Sequence, residues 1–326
     1  HIITGPNMSG KCLRGDTLVF TDRGLMPLAD LQPENALPGE FAEISCRVQG
    51  AQGSSHATHF YTGGRQETLQ FTTRLGYRLE GTPEHRVWVR FPDGHEDWKR
   101  LAELAVGDMV AIQRQVNLWG QETAIDNSVA ASLRKAKRYQ LPDHLDEDLA
   151  YLLGLLVGDG TVTYENSFLL STGDAFIADE FRRIMEQLFG YQVGCKANGQ
   201  DYFVTSKQIR TFLAGLGLGY CQAQDKSVPR SILRAPRHIV VAFLQGMFDA
   251  DGYAENRYGN VRLSTASRRL AEEVQLLFLN LGMIASLHVK QTARKPSYRL
   301  ALDGAEAIAF YQQVGFRLPR KQALRE

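Results

Sequence analysis

Two aspartates, Asp159 and Asp251, stand next to last in two nine-residue segments of one design, Leu152–Gly160 (LLGLLVGDG) and Leu244–Gly252 (LQGMFDADG). In each, Leu opens the segment, Gly stands third, an apolar pair follows, and Asp-Gly ends it. Read as the last turns of an amphipathic helix, Gly154 and Gly158 fall on one face, as do Gly246 and Ala250. Small residues at that spacing remove the side-chain ridge and let two helix backbones approach closely. Each helix then delivers one carboxylate at its C-terminal end. That end already carries partial negative charge, and two carboxylates brought together repel further. A hard divalent cation held by both acids resolves the conflict, so the pattern itself asks for a metal where two helices meet. A single Asp-Gly is an ordinary helix stop, as at Asp93-Gly94 and Asp303-Gly304; two nine-residue matches inside a larger repeat weigh against that reading here.

The elements that must position these acids recur along residues 144–326, where each half reads helix, two strands, helix, two strands, helix. In the first half Asp148–Gly160 leads to strands at TVTY and FLLS, a helix over 174–189, strands near QVGCK and YFVTS, and a helix over 207–215. In the second, a helix over 237–252 leads to YAENRY and NVRLST, a helix over 267–281, strands near ASLHVK and YRLAL, and a helix over 304–314. Asp159 and Asp251 are 92 residues apart, and so are Gly190 and Gly282, each closing a long amphipathic helix. A tandem copy builds a pseudo-twofold dimer in one chain, which suits the near-symmetric backbone of duplex DNA. The strands predict a curved saddle with Lys196, Arg257, Arg262, Lys290, Arg294, Lys295 and Arg299 facing outward among Tyr202, Tyr253, Tyr258 and Tyr298. Such a face follows a major groove, phosphate contacts giving affinity and base contacts selectivity; an ordinary solvated sheet face is the plainer reading.

The nine-residue segments resemble the paired motifs of LAGLIDADG homing endonucleases, with Asp159 and Asp251 at the acidic eighth position. The resemblance implies an α+β fold of two αββαββα halves over residues 144–326, with Mg²⁺ at Asp159 and Asp251. It implies site-specific hydrolysis of both strands of double-stranded DNA. It also implies a lysine beside each active site, organising water or stabilising charge at the scissile phosphate. Lys226, in Asp-Lys-Ser-Val-Pro before the second motif helix, and Lys321, in Pro319-Arg320-Lys321, take those places, with Lys295 competing for the second. Val157-Gly158 stands where Asp-Ala is usual, but the eighth-position acid is kept, so cleavage is expected to survive. The alternative is a degenerate endonuclease retained as a DNA-binding or scaffold domain.

Residues 12–116 differ in character. CLRGDTLVFTDRGLMPLADL alternates apolar strand segments with Gly-Asp and Asp-Arg-Gly turns. Residues 66–91 alternate likewise, interrupted by Gly81-Thr82-Pro83-Glu84-His85, and Leu101–Ile112 closes the run. The Gly/Ser-rich stretch Gln49–His59, which includes His56 and His59, reads as a surface loop. These blocks resemble those of inteins and imply most of an all-β Hint horseshoe, incomplete at its C-terminal end, in a multidomain chain. In that chemistry the Cys12 thiol attacks the carbonyl of the Lys11–Cys12 amide and a thioester forms. His85 protonates the leaving nitrogen, while Thr82 and backbone donors hold the scissile carbonyl.

Upstream, HIITGPNMSGK (residues 1–11) has the spacing G-x-x-x-x-G-K of a nucleotide-binding loop. Cys12 stands where Ser or Thr must bind the nucleotide's Mg²⁺, and no βαβ pattern follows, which disfavours a nucleotide hydrolase. TGPNMSGK resembles the P-loop of MutS-family mismatch-repair ATPases. Residues 1–11 are thus expected to be a host remnant, and the intein-free mismatch-repair gene the DNA target. Complete inteins end in His-Asn, whereas this sequence ends at Glu326 without it, so a split element completed by a C-terminal intein piece, a truncated one, or one whose closing residues lie beyond Glu326 is expected.

Cys12, Cys46, Cys195 and Cys221 form no Cys-x-x-Cys pair, which fits a reducing compartment and gives no zinc site or disulfide framework. No apolar run reaches about 18 residues and no basic-then-apolar leader is present, so a cytoplasmic chain without membrane contact and a monomeric endonuclease are expected. Residues 1–116 hold 12 Lys+Arg against 14 Asp+Glu and the remainder 25 against 22, which places any polyanion on the second part. Residues 117–143 read as a polar linker with a basic run at Arg134–Arg138.

Overall fold

The computed structural model describes residues 12–50, 53–133, 137–255, 259–291 and 295–323. The loop words of residues 1–11, the start of the basic run (Arg134–Ala136), and Arg257, Tyr258 and Arg294 of the expected saddle lie outside the described residues. Packing divides the chain into two units, residues 1–121 with 276–284 and residues 122–275 with 285–326. The second unit thus begins inside the stretch read as linker.

The first unit is built of antiparallel strands, β1 (Leu18–Thr21), β2 (Gly24–Pro27), β3 (Phe41–Gly50), β4 (Gly53–Tyr61), β5 (Leu69–Thr72), β6 (Arg78–Gly81), β7 (Arg86–Arg90), β8 (Glu96–Arg100) and β9 (Met109–Val110). They pair as β2-β1-β3-β4, β5-β6 and β8-β7-β9. Of the stretch read as a loop, residues 49–50 and 53–59 are instead strand, the facing parts of β3 and β4, whose backbones pair from Phe41↔Tyr61 to Gly50↔Gly53. Small polar side chains mislead there because the ladder is held by main chain. In β7, Val87 and Val89 are buried while Arg86 and Arg90 are exposed, the period-two signature of a half-buried strand. Both valines join Tyr77, Leu79 and Leu101 in a cluster completed by Leu279, with Leu276 and Ile284 against it. That apolar cluster is why residues 276–284, read as the end of a helix of the repeat, count with the first unit.

The second unit carries α1 (Ser128–Ala131), α2 (Glu147–Asp159), β10 (Gly160–Thr161), β11 (Ser167–Ser171), α3 (Ala175–Phe189), β12 (Gly194–Cys195), β13 (Asp201–Thr205), α4 (Lys207–Gly215) and α5 (Arg230–Leu233). It continues with α6 (Arg237–Ala250), β14 (Gly252–Ala254), β15 (Val261–Thr265), α7 (Arg268–Asn280, whose residues from 276 on count with the first unit), β16 (Ser286–Lys290), β17 (Ser297–Leu302), α8 (Ala305–Gln313) and α9 (Pro319–Gln322). The two four-stranded sheets repeat one topology, β10-β11-β13-β12 and β14-β15-β17-β16, which is the α+β tandem expected from the sequence. Local signals set the boundaries. Asp146 caps α2 by accepting from Leu149 N, Ser206 caps α4 by accepting from Ile209 N, and Gly190 ends α3 at φ 61°, where a side chain would be strained.

The motif helices α2 and α6 pack against one another more intimately than their sequences announce. An added Cβ at Gly154 would stand 2.2 Å from Phe243 O, one at Gly246 2.1 Å from Tyr151 O, and one at Gly158 2.7 Å from Ala250 Cβ. The expected amphipathicity fails for α2, because Leu149 through Gly158 are all buried. It is enclosed by α6, α3 and β11, so it has no solvent face to mark. No helix among the described residues is long and apolar enough to cross a membrane.

Gly154→Ala and Gly246→Ala are expected to destabilise the protein by about 3 kcal/mol each, because backbone must move to admit the methyl group. Gly190→Ala, with nothing within 4 Å, should cost only about 1 kcal/mol for its left-handed backbone. Chemical denaturation of the three variants gives the order; equal losses would sink the close-approach account.

Candidate active site

Close contact of α2 and α6 carries two acids to one place. Asp159 is the last residue of α2 and Asp251 the C-cap of α6. Their carboxyl groups lie within hydrogen-bonding reach of each other. Burial pushes the Asp251 carboxyl up to about 6, the negative charge of Asp159 pushes the same way, and the ammonium groups of Lys226 and Lys321 oppose both. Two hard oxygen donors that repel when ionised fit a hard divalent cation. Among the described residues no group of three or more His, Cys, Asp or Glu gathers that could hold a metal ion. A small cation such as Mg²⁺, which keeps several waters, suits so sparse a donor set.

Neither motif helix has a basic residue in its last turn, so the negative ends of both dipoles must be met from elsewhere. Lys226 Nζ donates to Val157 O (2.7 Å), Gly158 O (2.7 Å) and Gly160 O (3.4 Å). Lys321 Nζ donates to Phe248 O (2.9 Å), Asp249 O (2.6 Å) and Gly252 O. An ammonium has three donors, and here all three are spent on carbonyls. In this structure both lysines thus brace the helix ends that carry the acids. Burial pulls both ammonium groups below the usual lysine range, Lys321 to about 8, against the pull of nearby carboxylates. Lys295, the competitor, instead donates to the Gln224 side chain.

Each bracing segment is fastened to the other half of the repeat. Ser267 Oγ, which caps α7 by accepting from Leu270 N, donates to Lys226 O. Glu273 accepts from Val228 N at 2.7 Å. Opposite, Arg320 Nε donates to Asp174 Oδ2, the N-cap of α3, at 2.8 Å. The sequence reading missed Asp249, which is 1% exposed and accepts from Tyr151 Oη at 2.8 Å.

Among the described basic residues of the expected saddle, two are engaged by acids. Arg262 is spent on Glu255 (3.3 Å) and Asp303, and Lys196 on Asp201 (3.1 Å). Tyr202 faces inward, donating to Gly199 O. Arg299 and Lys290 remain exposed on the second sheet, with Tyr253. The first sheet presents Ser167, Leu169, Phe203 and Thr205 on the corresponding face.

In the first unit, Cys12 and Thr82 meet through their backbones and the Thr82 hydroxyl. Cys12 N donates to Thr82 Oγ1 at 3.0 Å, Thr82 N donates to Cys12 O at 2.9 Å, and His85 N donates to Thr82 O at 2.9 Å. The Thr82 hydroxyl thus sits on the nitrogen of the Lys11–Cys12 bond, where the sequence reading had put it on the carbonyl; Lys11 itself lies outside the described residues. His85 is 1% exposed, and its own carbonyl accepts from Leu101 N at 2.8 Å. Burial raises the Cys12 thiol above its ordinary range, partly offset by a backbone hydrogen bond from Gly63, whose missing Cβ would lie 2.6 Å from the sulfur.

The sequence profile described as "LAGLIDADG-like domain" matches residues 238–315. Residues 238–315 are a LAGLIDADG-like domain. This span runs from α6 through β14–β17 to the end of α8, and the first half of the second unit has the same order of elements. The chain is 27% identical to an A-type ATP synthase polypeptide of Pyrococcus abyssi over 93% of its own length and 31% of that protein. It is 26% identical to replication factor C small subunit of Methanocaldococcus jannaschii over 98% of its length and 17% of that protein. It thus spans a third or less of these relatives. Among solved structures, I-DmoI in complex with DNA and Ca is 20% identical, with a TM-score of 0.43 over 55% of this chain and 97% of that one.

Because folding favours protonated Asp251, the metal-free protein should lose stability as pH rises from about 4 through about 6. Mg²⁺ or Ca²⁺ should recover it above pH 6, and Asp251→Asn should flatten both responses in thermal unfolding scans. Lys321→Met should lower stability by about 3 kcal/mol, since three carbonyls lose their donor.

Proposed function

We propose that the second unit is a Mg²⁺-dependent, site-specific endonuclease that cuts both strands of duplex DNA, and that it rides within a self-processing intein-like element. The observation that carries the nuclease reading is the meeting of Asp159 and Asp251 at two braced helix ends of one tandem repeat. The LAGLIDADG-like profile supports it. In this reading each half presents one braced acid to one strand, and the sheets lie along the groove. Mg²⁺ held by Asp159 and Asp251 would lower the barrier by activating water and stabilising the leaving oxygen. The chain's own work is positional: α2 and α6 fix the spacing of the acids, Lys226 and Lys321 keep the carbonyl ends from repelling them, and Arg299 and Lys290 hold phosphate.

The self-processing part rests on Cys12, Thr82 and His85. The Cys12 thiol attacks the Lys11 carbonyl carbon, a C–S bond forms, and the C–N bond to Cys12 breaks as that nitrogen takes up a proton. Thr82 Oγ1, already accepting from Cys12 N, holds the nitrogen that must leave, and His85 is the proton donor. The raised thiol requires its proton to depart as attack proceeds. Recurrence of almost this whole chain inside proteins as different as an ATP synthase polypeptide and a replication factor supports an element that is inserted rather than intrinsic to either. In this reading residues 1–11 belong to a MutS-type host, and the target is the uninterrupted host gene.

With Mg²⁺ and a duplex encoding the joined P-loop, the protein should give two discrete fragments. Asp159→Ala/Asp251→Ala should abolish cutting while a mobility shift persists; cleavage by that double variant removes the metal assignment. Hydroxylamine should release the N-terminal segment from wild-type protein but not from Cys12→Ala, as read by mass spectrometry.

A further inference from the structure

We infer that Asp249 is a positioning residue: it anchors the Lys321 segment and so governs one of the two strand-cutting events, an inference that rests on the nuclease reading above. Asp249 lies two residues before Asp251 in α6 and is buried. Its carboxylate accepts from Arg317 N at 3.1 Å and from Leu318 N at 3.3 and 3.2 Å to its two oxygens, besides Tyr151 Oη. Its backbone carbonyl accepts from Lys321 Nζ at 2.6 Å. One residue therefore grips the segment 317–321 at both ends. Arg317 tightens the hold: its guanidinium lies 4.2 Å over the Tyr151 ring, and Nε donates to Gln245 Oε1 at 3.1 Å.

The repeat supplies an internal control. Val157 occupies the register position of Asp249 in the first half and offers no polar side chain. There the Lys226 segment is tied instead by Ser267 and Glu273 of the other half. An apolar residue thus serves at this helix position, so the fold alone does not require an acid. A buried carboxylate is costly unless it is hydrogen-bonded, and this one is satisfied by Tyr151 Oη and by the Arg317 and Leu318 amides, which lead directly into α9, the short helix that carries Lys321. Since the two bracing segments have chemically different fasteners, loosening Asp249 should disturb the α6 end and leave the α2 end in place.

The test uses the full chain, a duplex labelled separately on each strand with Mg²⁺, and amide hydrogen exchange. Asp249→Val should lower the protection of the Arg317 and Leu318 amides about tenfold or more. It should slow one strand roughly ten- to hundredfold, as expected when a positioning group shifts. The nicked product should keep intact the same strand that survives with Lys321→Met, whereas Lys226→Met should spare the other. Asp249→Asn, whose side-chain oxygen still accepts, should retain most of the protection and of the rate. If Asp249→Val fails to fold, Asp249→Ser, too short to reach both amides, should give the same strand bias. Equal slowing of both strands, or unchanged exchange at Arg317 and Leu318, overturns the inference. Absence of any cutting by wild-type protein would sink the nuclease reading, and the exchange data would still decide whether Asp249 is the anchor.

Discussion

Contact between two helix backbones governs the second unit. Gly154 and Gly246 remove the atoms that would hold α2 and α6 apart, each Cβ position falling about 2 Å from a carbonyl oxygen of the opposite helix. Ridge-free packing at this distance has a consequence beyond density. It draws two helix C-termini, each with its partial negative charge and its own aspartate, into one small volume. Glycine at the end of each motif then lets the chain turn at once into a strand, since a side chain at Gly160 or Gly252 would strike the preceding turn.

The electrostatic conflict so created is met in two ways. Lys226 and Lys321 arrive from segments far along the chain and saturate their donors on the carbonyls of the last helical turns. Acids and lysines form a quartet in which each charge has an opposite neighbour, although burial still leaves Asp251 reluctant to ionise. A divalent cation held between the two acids would relieve what remains. The lysine segments are also clasps between halves, through Ser267 and Glu273 on one side and Asp174 on the other, so the same bonds that neutralise the helix ends hold the pseudo-twofold together.

Much of this was legible before any coordinates. Element order in the repeat was readable because period-3.6 and period-2 apolar patterns alternate and glycine closes the long helices, as at Gly190. The acids were found because small residues recur with them. Strand character at residues 53–59 was missed because most side chains there are small or polar, although Ala57 joins an apolar cluster and the pairing with β3 is made by main chain. Outward basic residues were over-counted because a sequence does not show that Arg262 is taken by Glu255 and Asp303.

The sequence by itself determined which residues are small, acidic and periodic, and hence that two helices of like design would meet and bring Asp159 and Asp251 together. Tertiary structure alone decided what Lys226, Lys321, Thr82 and Asp249 hold, and that residues 276–284 complete an apolar cluster of the first unit. The reason is physical: most of those partners are backbone carbonyls and amides, which every residue carries alike. Only the folded path of the chain says which of them comes within reach.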